Sequence, residues 1–197
     1  QDVDQVDRAR IIAELGLDKP LWQQYLGFLN GALHGNLGNS FVYNIPAIEL
    51  VIQRLPATLE LAISALSLAV IIGLPLGLIA GLYPDSRFSK MIMAGSIVGF
   101  SLPTFWVALM LIMTFSVSLG WLPASGRGQT VEFLGFQWSW LTADGWRHLI
   151  LPALNLSLFK ISLVIRLTRA GVRDVLPLDF VKFARAKGLS PFRVVCV

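Results

Sequence analysis

From Met91 to Gly126 the chain runs for 36 residues without a charged side chain. About 20 mostly apolar residues in a helix already cross the hydrocarbon core of a bilayer. The same run folded in water would leave a large apolar surface with nothing to cover it. The stretch is too long for one straight span, so part of it is expected to leave the membrane core. Pro103 is placed to kink it and Gly120-Trp121-Leu122-Pro123 to end it. Charged residues make up 14% of the whole chain, against about 25% in soluble domains. That scarcity also excludes intrinsic disorder and coiled coil. The single cysteine, Cys196, excludes an internal disulfide framework and a cysteine-rich zinc site.

Two further spans follow from the same arithmetic. One runs from about Thr58 to Leu82, with Glu60 near its start, where the carboxylate is expected to be solvated. The other runs from about Leu149 to Ile165, interrupted by Lys160, with Pro152 expected in its first turn. The fold class is therefore an all-α integral membrane protein, a polytopic helical bundle with three spans in this chain. With no initiator Met and an end inside a patterned segment, the chain reads as a fragment.

Charge distribution orients the spans. Residues 166–197 hold seven Lys/Arg (Arg166, Arg169, Arg173, Lys182, Arg185, Lys187, Arg193) against Asp174 and Asp179, and the linker 84–90 carries Arg87 and Lys90. The positive-inside rule places both on the cytoplasmic side. Three parts result: an outer helical segment over 1–56, spans over 57–170 with an outer loop at 120–147, and a cytoplasmic loop over 171–197. Trp121, Trp138, Trp140 and Trp146 fall in the outer loop, as boundary anchors or as ordinary packing residues. Within 1–56, Asp18 is a candidate N-cap, and Trp22, Tyr25, Leu26, Leu29 and Leu33 form one apolar stripe. Ala47–Leu55 reads as a second short helix, with Pro56 introducing the first span.

Ala65, Ala69, Gly73, Gly77 and Gly81 recur every fourth residue of the first span and so share one helix face. In lipid such strips let two backbones approach closely. Gly95, Gly99 and Pro103 form a shorter version in the second. Ionisable groups within a membrane are functional suspects by default. Lys160 either snorkels toward the cytoplasmic surface or lines a water-filled path. Asn155, Ser157 and Ser162 either line that path with it or hydrogen-bond between helices. No phosphate-binding loop, zinc-protease motif or catalytic dyad is present, and no metal site or catalytic residue is expected. The positive charge is explained by topology, so nucleic-acid binding is not.

The C-terminal stretch has its own grammar. Pro177 is expected to end the preceding helix near Leu176, Asp179 to cap a short helix over 180–187, and Gly188 to end it in a left-handed conformation. Ser190 and Pro191 then start another helix. Phe180, Phe183 and Ala184 share a face, from which Lys182 and Arg185 diverge. Such a face fits a groove on a partner protein or the surface of anionic lipid, or the stretch is a cytoplasmic loop without a partner.

The run Asp179-Phe-Val-Lys-Phe-Ala-Arg-Ala-Lys-Gly-Leu-Ser resembles the cytoplasmic EAA loop of permease subunits in binding-protein-dependent ABC importers. It is most similar to the dipeptide/oligopeptide/nickel branch, whose usual form is near D-Y-V-R-T-A-R-A-K-G-L-S. Further blocks of similarity are Leu15-Gly-Leu-Asp-Lys-Pro-Leu, Arg54-Leu-Pro-Ala-Thr-Leu-Glu-Leu, Ser101-Leu-Pro-Thr-Phe-Trp, Gly120-Trp-Leu-Pro-Ala-Ser-Gly-Arg-Gly and His148-Leu-Ile-Leu-Pro-Ala. The resemblance implies spans two to four of a six-span permease in the bacterial inner membrane, with 1–56 periplasmic and 171–197 cytoplasmic. It implies import of di- or oligopeptides or related small solutes. Its implied partners are a second permease subunit, two cytoplasmic ATPase subunits that use ATP and Mg, and a periplasmic substrate-binding protein. The chain itself is then not an enzyme and binds no cofactor. By residue, Ala184 and Gly188 match the most characteristic loop positions. Asp179, Phe180, Val181, Arg185, Ala186, Lys187 and Leu189 match the branch pattern. Lys182 and Phe183 replace the Glu and first Ala of the general form. The helix at these positions is implied to seat in a cleft of the ATPase. A membrane anchor with a lipid-binding basic tail and an ion-coupled carrier are the competing functions.

Overall fold

A computed structural model describes residues 19–40, 42–43, 45–190 and 193. The chain divides into two compact units, residues 1–56 and 57–197. In the first, helix α1 (Leu21–Leu33) carries the apolar stripe, and Trp22, Tyr25 and Leu26 are all exposed. Asp18 lies outside the described residues. Helix α2 (Ala47–Leu82) is a single helix. It takes in the stretch 47–55 that had been expected as a separate element, and Pro56 lies within it rather than between two helices.

Helix α3 (Arg87–Ser101) begins at Ser86, whose hydroxyl accepts from Ser89 N at 3.0 Å. Ser89 Oγ in turn donates to Ala80 O at 3.1 Å, which ties the α2–α3 turn together. Helix α3 stops at Leu102, and α4 (Thr104–Leu111) starts after Pro103. The two halves of the uncharged stretch meet at 101°. Pro103 removes one donor and forces Leu102 out of the helical region, to φ −77 and ψ 133. Two consecutive extended residues thus turn an anticipated kink into a right-angled break. Helix α4 passes into a π-helical segment, Ile112–Ser118, capped by Leu119; Gly120 follows with φ +63, within the stretch 120–123 where the sequence placed the end.

Two helices, Ala47–Leu82 and Ala143–Val175, are long and apolar enough to cross a membrane, and the bent pair makes a third if counted as one span. The latter helix, α5, begins earlier than expected. Thr142 is its N-cap, accepting from Gly145 N at 2.9 Å, so Pro152 sits in the interior rather than in the first turn. Mainly helical architecture is interrupted by a hairpin that the all-α reading missed. Strands β1 (Val131–Phe133) and β2 (Phe136–Trp138) pair antiparallel, with Val131 opposite Trp138 and Phe133 opposite Phe136. Leu134 and Gly135 turn the chain with φ of 54 and 78, the positive values a two-residue hairpin loop needs.

The small-residue strip lies where α2 meets α5. A methyl added to Gly73 would fall 2.8 Å from Val164 Cβ, one on Gly77 2.6 Å from Thr168 Cβ, and one on Gly81 2.7 Å from Val172 Cβ. Steps of four on α2 match steps of four on α5 in the same direction, so the two helices run parallel. Ala65 and Ala69 continue the strip as fully buried residues. Helix α3 runs antiparallel to α5. A methyl on Gly99 would meet Ser162 Oγ at 2.9 Å, and Phe100 stacks on Phe159 with centroids 4.7 Å apart. Gly95 has open space around it.

Candidate functional site

The C-terminal loop folds into helix α6 (Asp179–Ala186). The preceding helix ends at Val175, two residues before Pro177. Leu178, not Asp179, is the N-cap, and it makes no side-chain cap bond. Asp179 lies in the first turn, where its charge opposes the helix dipole, and it pairs with Lys182 Nζ at 2.9 Å in full exposure. Gly188 takes φ +78, and Leu189 N returns to Ala184 O at 3.3 Å, which closes the helix. Ser190 Oγ accepts from Arg193 N at 3.4 Å. Pro191 and Cys196 lie outside the described residues.

Side chains on α6 divide sharply. Val181 is 3% exposed and is the buried residue of the helix. Phe180 and Phe183 are 63% and 62% exposed. Ala184 is half-buried, while Arg185, Ala186 and Lys187 face outward. Lys187 Nζ lies 4.5 Å from the centre of the Phe183 ring, a cation–π contact that holds the ring in place. One aliphatic side chain therefore fixes the helix to its own chain, and two aromatic rings are left over.

The polar residues of α5 do not form one set. Ser157 and Ser162 are buried and bond back to their own helix, Ser157 Oγ to Leu154 O at 2.8 Å and Ser162 Oγ to Leu158 O at 3.0 Å. Asn155 lines a cavity of about 190 Å³ with His148, Ser125 and Pro152, and its Oδ1 is buried with no partner. Lys160 is half-buried and does not line that cavity.

One cluster escaped the sequence reading. Glu60 is not solvated; it is 1% exposed. Its Oε2 pairs with Arg127 Nη2 at 3.2 Å. Its Oε1 accepts from the backbone N–H of Ser139 and from Trp140 N, the latter at 3.2 Å. Arg127 also donates from Nε to Ser139 Oγ at 3.1 Å and from Nη2 to Gln137 O at 2.5 Å. Trp140 Nε1 reaches Ser64 Oγ, one helical turn from Glu60, at 3.2 Å. Trp138 and Trp140 stack at 6.2 Å and Trp140 and Trp146 at 6.4 Å, whereas Trp121 leans on Phe115 at 6.1 Å. Thr142 Oγ1 donates to Gln129 O at 2.7 Å and Asp144 Oδ2 accepts from Gln129 N at 2.8 Å. The loop is thus a folded cap bolted to α2 and α5. The available signal was the pairing of a lone acid at the head of a span with a lone arginine between two glycines, Gly126 and Gly128. Among the described residues no group of three or more His, Cys, Asp or Glu is placed to hold a metal.

Residues 73–197 match the family described as the binding-protein-dependent transport system inner membrane component. The di/tripeptide transport system permease protein DppB of Pseudomonas aeruginosa is 43% identical over 209 residues, covering 99% of this chain and 62% of that protein. The dipeptide transport system permease protein DppB of Escherichia coli K12 is 39% identical over 204 residues, covering 96% and 60%. A putative peptide transport system permease protein of Brucella abortus is 38% identical over 186 residues, covering 94% and 57%. The chain spans about three-fifths of the length of these relatives.

Proposed function

This chain belongs to the family of binding-protein-dependent transport system inner membrane components, and from that premise we propose that it is part of the permease subunit of an ATP-driven importer of di- or oligopeptides. The substrate class is carried over from the names of the similar permeases. In this reading the permease pairs with a second permease, takes substrate from a periplasmic binding protein, and is driven by two cytoplasmic ATPase subunits that use ATP and Mg. Residues 1–56 and 120–147 face the periplasm and 171–197 the cytoplasm.

The observation that carries the proposal is the division of side chains on α6. Val181 is buried against its own chain while Phe180 and Phe183 remain exposed. A short helix anchored on one side and aromatic on the other is suited to a cleft in a partner, the helix-in-groove mode of recognition. Parallel packing of α2 and α5 along the glycine strip gives the spans a stiff pair through which movement of α6 reaches the outer cap. Asn155, beside its cavity, is the α5 residue best placed to meet a solute.

Two measurements on the full-length transporter test this. With Cys196 replaced, single cysteines at 180 and 183 should crosslink to the ATPase and one at 181 should not. Phe183→Asp should lower ATP-driven peptide uptake at least about tenfold, since a carboxylate in an apolar cleft costs more than the ~1.4 kcal/mol that a factor of ten represents. Crosslinking of all three positions to lipid-phase reagents only, with normal uptake by Phe183→Asp, would leave the membrane-anchor reading in its place.

A further inference from the structure

Arg166, Arg169 and Arg173 stand on one face of α5, at spacings of three and four, over about 10 Å of helix axis. With Met93 of α3, Ala170 and Asp174 they line an open cavity of about 500 Å³. Arg166 Cζ sits 4.4 Å from the centre of the Phe100 ring, and Phe100 is itself stacked on Phe159, so that guanidinium is oriented by an aromatic column. The Nε atoms of Arg166 and Arg169 are buried and have no hydrogen-bond partner. Among the described residues no carboxylate lies within ion-pair distance of any of the three. Three guanidinium groups against Asp174 leave two positive charges in the cavity.

Guanidinium Nε–H groups buried without a partner, as on Arg166 and Arg169, are costly, because their desolvation is not offset. Their planar forks match the oxygens of a phosphate. The cluster follows directly on the last apolar stretch of α5, at the depth where headgroup phosphates lie. Met93 and Ala170 supply an apolar wall for the start of an acyl chain. We infer that this cavity is a binding site for the headgroup phosphate of an anionic phospholipid in the cytoplasmic leaflet. The inference goes beyond the transport reading: it needs α5 to cross the membrane with its Arg173 end inward, and it does not depend on what α6 binds or on what solute is carried. The lipid would fill the space between α3 and α5 and neutralise the end of the bundle from which α6 departs.

The test uses the full-length transporter in nanodiscs of phosphatidylcholine, with and without about one-fifth phosphatidylglycerol, transferred to detergent and examined by native mass spectrometry. The wild type should retain phosphatidylglycerol in preference to phosphatidylcholine. The triple variant Arg166→Gln, Arg169→Gln, Arg173→Gln should lose that preference. Arg173→Gln alone, at an exposed position that folding tolerates, should weaken retention about fivefold, as expected for one cation near a lipid surface. Arg87→Gln, which removes the same charge from the start of α3, should retain the lipid as the wild type does. Equal retention by the wild type and Arg173→Gln would overturn the proposal, and so would an equal loss in Arg87→Gln. Displacement by millimolar inorganic phosphate, with no preference for phosphatidylglycerol, would assign the site to a soluble anion and overturn the lipid assignment.

Discussion

The two ends of the α2–α5 pair handle charge in opposite ways. At the Glu60 end a buried acid is paired with a half-buried arginine. The bonds from the Ser139 and Trp140 backbone amides to Glu60, and from Arg127 to Ser139 and Gln137, leave little unsatisfied. At the Arg173 end three arginines line a cavity with Asp174, and among the described residues none of them lies within ion-pair distance of a carboxylate. The first end is complete within the chain and the second is not. A buried ion pair stabilises little against an apolar alternative, but it is severe to break by halves. An unpaired basic cluster instead marks a place where something from outside belongs. The difference teaches that the Glu60 end is held within the chain, while the Arg173 end is where, in the readings proposed above, lipid and partner would meet it.

The sharpest way to break the comparison is to remove half of the closed end. Glu60→Ala would leave Arg127 without its carboxylate partner and two backbone N–H groups without their acceptor. It should cost about 3 kcal/mol or more and detach the cap, visible as a lower melting temperature of the full-length permease and new protease cleavage within 127–140. Glu60→Gln keeps an acceptor for Ser139 and Trp140 and should recover part of the loss. If Glu60→Ala melts as the wild type does, the cap is not held by this pair and the closed end is closed in appearance only.

A smaller effect separates the cap's two attachments. Thr142 caps α5 through Gly145 N and holds Gln129 O through the same hydroxyl. Thr142→Ala should cost about 1.5 kcal/mol. It leaves the Glu60 contacts in place, so protease sensitivity should appear near 142–146 rather than around Arg127. The same cleavage pattern for both variants would mean that the cap opens as one unit.

What the sequence reveals divides along the same line. Local signals are legible. Proline at 103 breaks a helix because its missing N–H and its ring act on its immediate neighbours, and Gly188 and Gly120 end helices because the required φ is theirs to adopt. The strip from Ala65 to Gly81 is legible because its period is the helix's own. Pairings between distant residues are not. Glu60 and Arg127 are 67 positions apart, and nothing local distinguishes an acid that will be buried in an ion pair from one left in water. The hairpin was missed although Val-Glu-Phe and Phe-Gln-Trp alternate around Leu134-Gly135, because in a chain so rich in helix a three-residue strand leaves little trace. Asp179 lost the capping role to Leu178 because its side chain turned outward to Lys182.

Gly73 and Gly81 offer the finest measure of the contrast, since they meet nearly the same obstacle. A methyl at either would press on a valine of α5, Val164 at 2.8 Å or Val172 at 2.7 Å. Overpacking of this kind costs about 2 kcal/mol, and alanine returns about 1 kcal/mol of helix propensity. The net cost of Gly73→Ala should therefore be about 1 kcal/mol. At Gly81 the helices approach the end whose arginines have no ion-pair partner among the described residues, so α5 is expected to yield there by a few tenths of an ångström. Its net cost should be near zero in phosphatidylcholine. If lipid fills the arginine cavity and braces α3 against α5, the Gly81→Ala cost should rise toward that of Gly73→Ala when phosphatidylglycerol is present, while Gly73→Ala stays unchanged. Equal costs at both positions in either lipid would show the glycine seam to be uniformly rigid, and the looseness at the inner end would then lie in side chains alone.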